Sequence, residues 1–241
     1  EMKRVLFLAV LGIAILSSCS RGKQYTINGS FDIPMEISLG DTVIQRDLFD
    51  GGYVYMLNMD GSPIDSALIE NEQFVFEGKI KEKDACFVCI AYEFIQGVIA
   101  LEPGEINLSI GDAVIAYGTP TNDVINDVDA RIDELAQIFS DDIMALAEGG
   151  DVIPSDSLLM PYYVEFNEKS EKLLDSLYQQ NKNSLIGVYI VNIKTASAQS
   201  VEELDTMLKD YDEYISESDV MNARRQYLYE KAAYGQEDFG Y

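Results

Sequence analysis

An α+β fold is predicted, an N-terminal antiparallel β-sandwich or barrel followed by a helical region. Between Tyr25 and Tyr117, short aromatic and β-branched runs alternate with turn residues, the pattern of closely spaced antiparallel strands. Beyond Gly118-Thr119-Pro120 the apolar residues recur at helical spacing. Strands precede helices without βα alternation, which separates this chain from a parallel-sheet protein. The predicted division is a leader over 1–18, a tether over 19–24, a β-sandwich domain over 25–118 and a helical region over 119–241.

The leader has the layout of a secretory signal: Lys3 and Arg4, an uncharged apolar run from Val5 to Leu16, then Ser17 and Ser18. The apolar run is shorter than the roughly 20 residues that span a bilayer. Leu16-Ser17-Ser18-Cys19 resembles the lipobox of bacterial lipoproteins. The resemblance implies cleavage before Cys19 and lipidation of its thiol, with two or three acyl chains anchoring the product firmly. Ser20-Arg21-Gly22-Lys23 has no acidic residue to direct surface export. A periplasm-facing lipoprotein of the cell envelope, at the outer membrane, is therefore expected.

In the β region, Tyr25-Thr26-Ile27-Asn28-Gly29 reads as the first strand. Tyr53–Leu57 and Ser66–Ile69 flank the turn residues Asp60-Gly61-Ser62-Pro63, and Gln73–Glu77 follows a turn at Glu70–Glu72. Further strands are expected over Cys86–Ala91, Gly97–Leu101, Ile106–Ile110 and Ala113–Tyr117. Residues 33–52 read as a long loop.

The first helix is expected over Asn122–Ala147, with a stripe of Val124, Ile125, Val128, Ile132, Leu135, Ile138 and Phe139, stopped by Gly149 and Gly150. A second over Ser157–Gln180 should bury Leu159, Tyr163, Phe166, Leu173, Leu174 and Leu177, and a third covers Leu185–Thr195. Ser200 and Glu203 match a capping box, opening a helix that runs past Leu204, Met207, Leu208 and Tyr211 to Ile215. Ser218 caps the last helix, which Gly235 ends.

Charge and composition exclude several functions. With 42 acidic and 17 basic residues the net charge is −25, which repels phosphate backbones and argues against nucleic acid as a partner. The chain has no histidine, so the usual general base, the Ser-His and Cys-His pairs and the commonest zinc ligand are all missing. No catalytic residue, metal ligand or cofactor site is assigned.

Three segments resemble a domain of unknown function that precedes thioredoxin-like domains in membrane-anchored thiol:disulfide oxidoreductases. They are Tyr53–Gly78 with its Ile64-Asp65-Ser66, then Leu101-Glu102-Pro103-Gly104, then Gly118-Thr119-Pro120-Thr121-Asn122. The resemblance covers roughly Tyr25 to Ile132 and rests on motifs of shape rather than chemistry. In those relatives a redox domain with a Trp-Cys-x-x-Cys site follows the helices. Ala233-Tyr234-Gly235-Gln236-Glu237-Asp238-Phe239 resembles the approach to it, and the sequence stops at Tyr241.

Cys86-Phe87-Val88-Cys89 has redox-pair spacing, but a reactive pair needs a thiolate stabilised at a helix N-terminus, and here Glu82 and Asp84 lie upstream of an apolar run. Ordinary strand thiols are expected. Asp123, Asp127 and Asp129, or Asp141 with Asp142, offer carboxylates for a cation without the glycine and terminal glutamate of a calcium loop, so a solvated helix face is the reading. The tyrosines can line a sugar or peptide groove, although most are expected in the core or at the seam between sheet and helices. The function read from all this is a non-enzymatic, lipid-anchored periplasmic binding or docking module with an envelope protein partner. The alternatives are an accessory subunit of thiol-disulfide redox machinery and a carbohydrate- or peptide-binding lipoprotein.

Overall fold

The computed structural model describes residues 23–32, 36–39, 42–45, 49–80, 86–147 and 156–234. The leader, Cys19, the glycines at 149 and 150, Glu82, Asp84 and Gly235 lie outside the described residues. Ten strands come first: β1 Gln24–Phe31, β2 Glu36–Leu39, β3 Thr42–Gln45, β4 Tyr53–Leu57, β5 Pro63–Leu68, β6 Gln73–Lys79, β7 Cys86–Tyr92, β8 Ile95–Leu101, β9 Gly104–Ile110 and β10 Val114–Tyr117. The helices follow: α1 Pro120–Ala147, α2 Asp156–Gln180, α3 Leu185–Lys194, α4 Val201–Leu208, α5 Glu213–Ser216 and α6 Asp219–Tyr234. Gln24, read as the end of the tether, already belongs to β1.

Two four-stranded sheets face each other, ordered β10-β9-β1-β6 and β5-β4-β7-β8. Alternation along β1 turns Tyr25 and Ile27 inward, where they meet Phe76, Ile106, Leu108, Met56 and Ile90 in one core. Each large side chain fully buried there stabilises the fold by about 1.5–3 kcal/mol. Gly29 is required by this packing, because a Cβ on it would lie 2.0 Å from Cζ of Phe74.

One pair departs from the antiparallel expectation. β1 and β9 run parallel, with Ile27 opposite Ile106, because the chain passes through the second sheet before β9 returns beside β1 in the same direction. A second departure lies within the stretch read as a loop. β2 and β3 pair antiparallel, Ile37 opposite Ile44. The signal was present as two short runs, Glu36–Leu39 and Thr42–Gln45, on either side of Gly40-Asp41, the dipeptide type of a tight hairpin, but each run is only four residues long and only the first alternates.

β7 has apolar neighbours on both faces. Val88, Ile90 and Tyr92 point into the sandwich core, while Phe87 joins Ala100 of β8 in a second core with Ile125, Val188, Leu204 and Met221 from the helices. That double burial explains its unbroken apolar run. α3 is the hub of the helices, with Val188 and Val191 in this second core and Ile190 packed against Val128, Leu174 and Leu177.

The predicted helical stripes were too generous. Ile125 and Val128 of α1 are buried, whereas Val124 and Ile138 are exposed; in α2 Leu174 and Leu177 are buried, but Tyr163 is 45% exposed. The outer halves of α1 and α2 pack mainly on each other, through Phe139 at ring distances of 5.1 Å to Tyr163 and 4.8 Å to Phe166. The helix expected from Ser200 to Ile215 is two helices. Ser200 caps α4 by accepting from the Glu203 N–H at 3.1 Å, and the Glu203 carboxylate accepts from the Gln199 N–H at 2.9 Å. The chain then leaves the helix after Leu208 because Asp212 recaps it, accepting from the Ile215 N–H at 3.2 Å. Ser218 stands at the start of α6 and accepts from Met221 at 3.4 Å.

Candidate binding groove

The shape motifs of the sequence meet at one joint between sandwich and helices. Gly118 adopts a φ of +91°, a left-handed conformation that suits glycine, and turns the chain from β10 into α1. At the start of α1, the Glu102 carboxylate accepts from the Thr121 N–H at 2.7 Å and from its hydroxyl at 2.9 Å, capping the helix with a negative charge at its positive end. Asn122 is buried and its side chain accepts from the Ala100 N–H at 3.0 Å and donates to the Ala100 carbonyl at 2.8 Å. Ala100 lies on β8, an edge of its sheet, and Asn122 serves that residue as a neighbouring strand would. The Leu101–Gly104 and Gly118–Asn122 motifs are therefore two halves of one structural joint. Ile64-Asp65-Ser66 is apart from it, on the edge strand β5, where Asp65 accepts from the Ser66 N–H at 2.8 Å.

Beside this joint, the outer face of β7 and the helices leave a groove at their seam. Its main part, about 780 Å³, lies between the β4–β5 turn, Phe87 and α6, and is walled by Asp60, Asp219, Tyr227 and Glu230. The turn that presents Asp60 is closed by Asn58 and Ser62, with Gly61 at a φ of +80°, as expected of Asp60-Gly61. Two smaller depressions share Phe87 with it. One of about 250 Å³ is mainly apolar, with Met59, Val98, Tyr189 and Val220. The other, about 260 Å³, carries Glu213, Tyr214, Glu217 and Asp219. Among the described residues, none of those lining the largest part is basic. Arg224 borders the apolar depression, and its Nη2 donates to the Ala196 carbonyl at 2.6 Å.

Cys86 and Cys89 are both thiols on β7. Cys86 packs against the sandwich core, and alternation places Cys89 on the opposite face, across from Val98. Burial pushes the Cys89 thiol above its ordinary value, although a backbone contact with Gly97 opposes the shift. This is the reverse of an activated thiolate.

The aspartates singled out along α1 have separate partners. Asp123 accepts from the Gly118 N–H at 2.8 Å, Asp127 pairs with Arg131 at 3.0 Å, Asp129 accepts from the Tyr189 hydroxyl at 2.5 Å and Asp141 accepts from Gln137 at 2.7 Å. They do not converge. Among the described residues no group of three or more His, Cys, Asp and Glu side chains is placed to hold a metal ion.

The tyrosines, expected mostly in the core or at the seam, are divided: Tyr189, Tyr214 and Tyr227 line the seam depressions, while others lie on outer faces. Tyr25 and Tyr92 are buried, but Tyr53 and Tyr55 on the outer face of β4 are 50% and 48% exposed, and Tyr117, Tyr214, Tyr227 and Tyr229 are exposed too. Sequence reasoning missed the groove residues Met59, Asp60, Phe87, Asp219 and Glu230 as a set. Nothing in the local pattern links them, because they are far apart in the chain.

No helix among the described residues is long and apolar enough to cross a membrane. Comparison with curated proteins finds no match, and comparison with solved structures finds none. Residues 25–125 match the family described as a domain of unknown function (DUF4369), a unit that contains the sandwich and ends inside α1, just beyond the joint made by Glu102 and Asn122.

Proposed function

We propose that the protein is a lipid-anchored, periplasm-facing module that binds or docks an envelope partner and catalyses no reaction. Cys19 carries the lipid, and the seam groove beside Phe87 is the binding site. The observation that carries this reading is the groove itself. At about 780 Å³ it falls within the range of ligand sites, and its lining sets the apolar surfaces of Met59, Phe87 and Tyr227 among polar and acidic side chains. The absence of histidine and the upward shift of the Cys89 thiol support a binding role over acid–base or thiol chemistry.

Photo-crosslinking in the native envelope tests the site. A photoreactive side chain at Tyr227, which lies on the groove wall and is 59% exposed, should yield a discrete adduct. The same group at Glu77, on the exposed face of β6, should not. Equal labelling at both positions, or none at Tyr227, overturns the groove as the site. The anchor is tested separately: Cys19→Ala should release the protein from the membrane fraction and remove the mass of the acyl groups, and unchanged retention sinks it.

A further inference from the structure

We propose that the seam groove takes an extended peptide segment that carries lysine or arginine beside an apolar side chain. The inference rests on the groove being the binding site and adds the class of ligand. Three features of the groove select that class.

The first is charge. Asp60, Asp219 and Glu230 border the main depression and Glu213 and Glu217 border its neighbour. The Ser62 hydroxyl and N–H both donate to the Asp60 carboxylate, at 2.6 Å and 2.9 Å, and hold it below its ordinary range. It therefore stays charged. The Glu230 carboxylate accepts from Gln226 at 2.5 Å and so is held in place on α6. Among the described residues, the one basic side chain at the seam depressions is Arg224, which is bound to the Ala196 carbonyl. An anionic or neutral-polar ligand would meet an excess of like or unanswered charge, whereas an ammonium or guanidinium is complementary to it.

The second is the apolar content. Phe87 and Tyr227 both line the main and the apolar depressions. The long aliphatic stem of lysine or arginine packs on such surface while its charged head reaches the carboxylates, and the exposed ring of Tyr227 can receive a cation on its face. The third is shape. Three adjoining depressions share Phe87, two of them acidic and one apolar. An extended chain presents side chains alternately and so can fill a row of unlike pockets. A compact organic cation can fill only one.

The test measures fluorescence polarisation of labelled nonapeptides on the detergent-solubilised, lipidated protein. The peptides alternate leucine with lysine, serine or glutamate. The lysine–leucine peptide should bind best, weaken as salt is raised, and weaken about fivefold or more in the double variant Asp219→Asn with Glu230→Gln, since each exposed ion pair contributes up to about fivefold. The double variant Asp141→Asn with Asp142→Asn changes the net charge equally on α1 and should leave binding unchanged. Ala223→Trp, which fills the groove wall, should abolish binding while the circular dichroism spectrum is retained; wild-type salt dependence serves if that variant does not fold. If the serine–leucine peptide binds as tightly and remains sensitive to Ala223→Trp, the charge assignment is wrong and the groove still stands as the site. Loss of binding in the α1 variant as large as in the groove variant would show only nonspecific attraction and overturn the inference. Full competition by spermine at equal concentration would show that a free cation suffices and overturn the peptide assignment. Indifference of every peptide to Ala223→Trp would remove the groove itself.

Discussion

Asn122 holds Ala100 from both sides of its peptide, accepting from the N–H at 3.0 Å and donating to the carbonyl at 2.8 Å. One side chain at the start of α1 thus satisfies both backbone groups of one residue on an edge strand and ties the start of the helical region to the sandwich. A second donation from Asn122, to the Thr119 hydroxyl at 2.9 Å, holds the amide in the orientation that this pairing requires.

Asn122→Ala should therefore cost far more than a surface substitution. It leaves a buried N–H and a buried carbonyl without partners, each worth about 1–3 kcal/mol, and the expected loss is about 2–4 kcal/mol in urea unfolding. Thr121→Ala removes only the hydroxyl bonded to Glu102 and should cost about 1 kcal/mol. Similar losses for the two variants would show that the Asn122 pairing is not what holds the joint.

Tyr189 and Asp129 link α3 to α1 at 2.5 Å, and their electrostatics set a pH dependence. Desolvation raises the Asp129 carboxyl above its ordinary value, the Tyr189 hydroxyl pulls it down and Asp133 pushes it up, leaving a net rise. Burial first, then the contact with Asp129, raises the Tyr189 hydroxyl well above its ordinary value. A carboxyl whose folded value is raised favours the folded state below its unfolded value, and that contribution is lost as pH rises through the folded value. Wild-type stability should accordingly fall relative to Asp129→Asn as pH goes from about 4 towards 7. Tyr189→Phe should lower stability by about 1–2 kcal/mol at neutral pH, discounted for the half-exposed pair, and should move the loss to higher pH because the lowering contact is gone. A difference between wild type and Asp129→Asn that is constant with pH would refute this account.

The two β7 thiols should stay apart. Three strand steps separate their Cα atoms by roughly 10 Å, beyond the roughly 7 Å that a disulfide tolerates, and their side chains lie on opposite faces of the sheet. Intact mass after alkylation, with and without prior reduction, should give the same result for both residues. Cys89 should react slowly in the folded protein and at an ordinary rate in urea, because burial raises its thiol. A quantitative bond between Cys86 and Cys89 would mean that β7 is not a regular strand there.

Local pattern was enough to identify most elements, because periodicity and capping depend on residues only two to four positions apart. The alternation around Ile27, the turn at Asp60-Gly61, the box of Ser200 and Glu203 and the cap at Ser218 are all of this kind, and each is found where its neighbours place it. The motifs at Leu101–Gly104 and Gly118–Asn122 were visible too, but not that they touch, since hydrogen bonds between residues 19 and 22 positions apart leave no period. Packing alone settled the parallel pairing of β1 with β9, the exposure of Tyr53 and Tyr55, and the turning of Phe87 towards the helices rather than the sandwich. An apolar strand reads the same whichever side is covered; the face each residue meets depends on the layer laid against it. For the same reason the groove had no signature in the chain: Asp60, Phe87 and Tyr227 become neighbours only when β7 is covered on one side by the sandwich and on the other by α3 and α6.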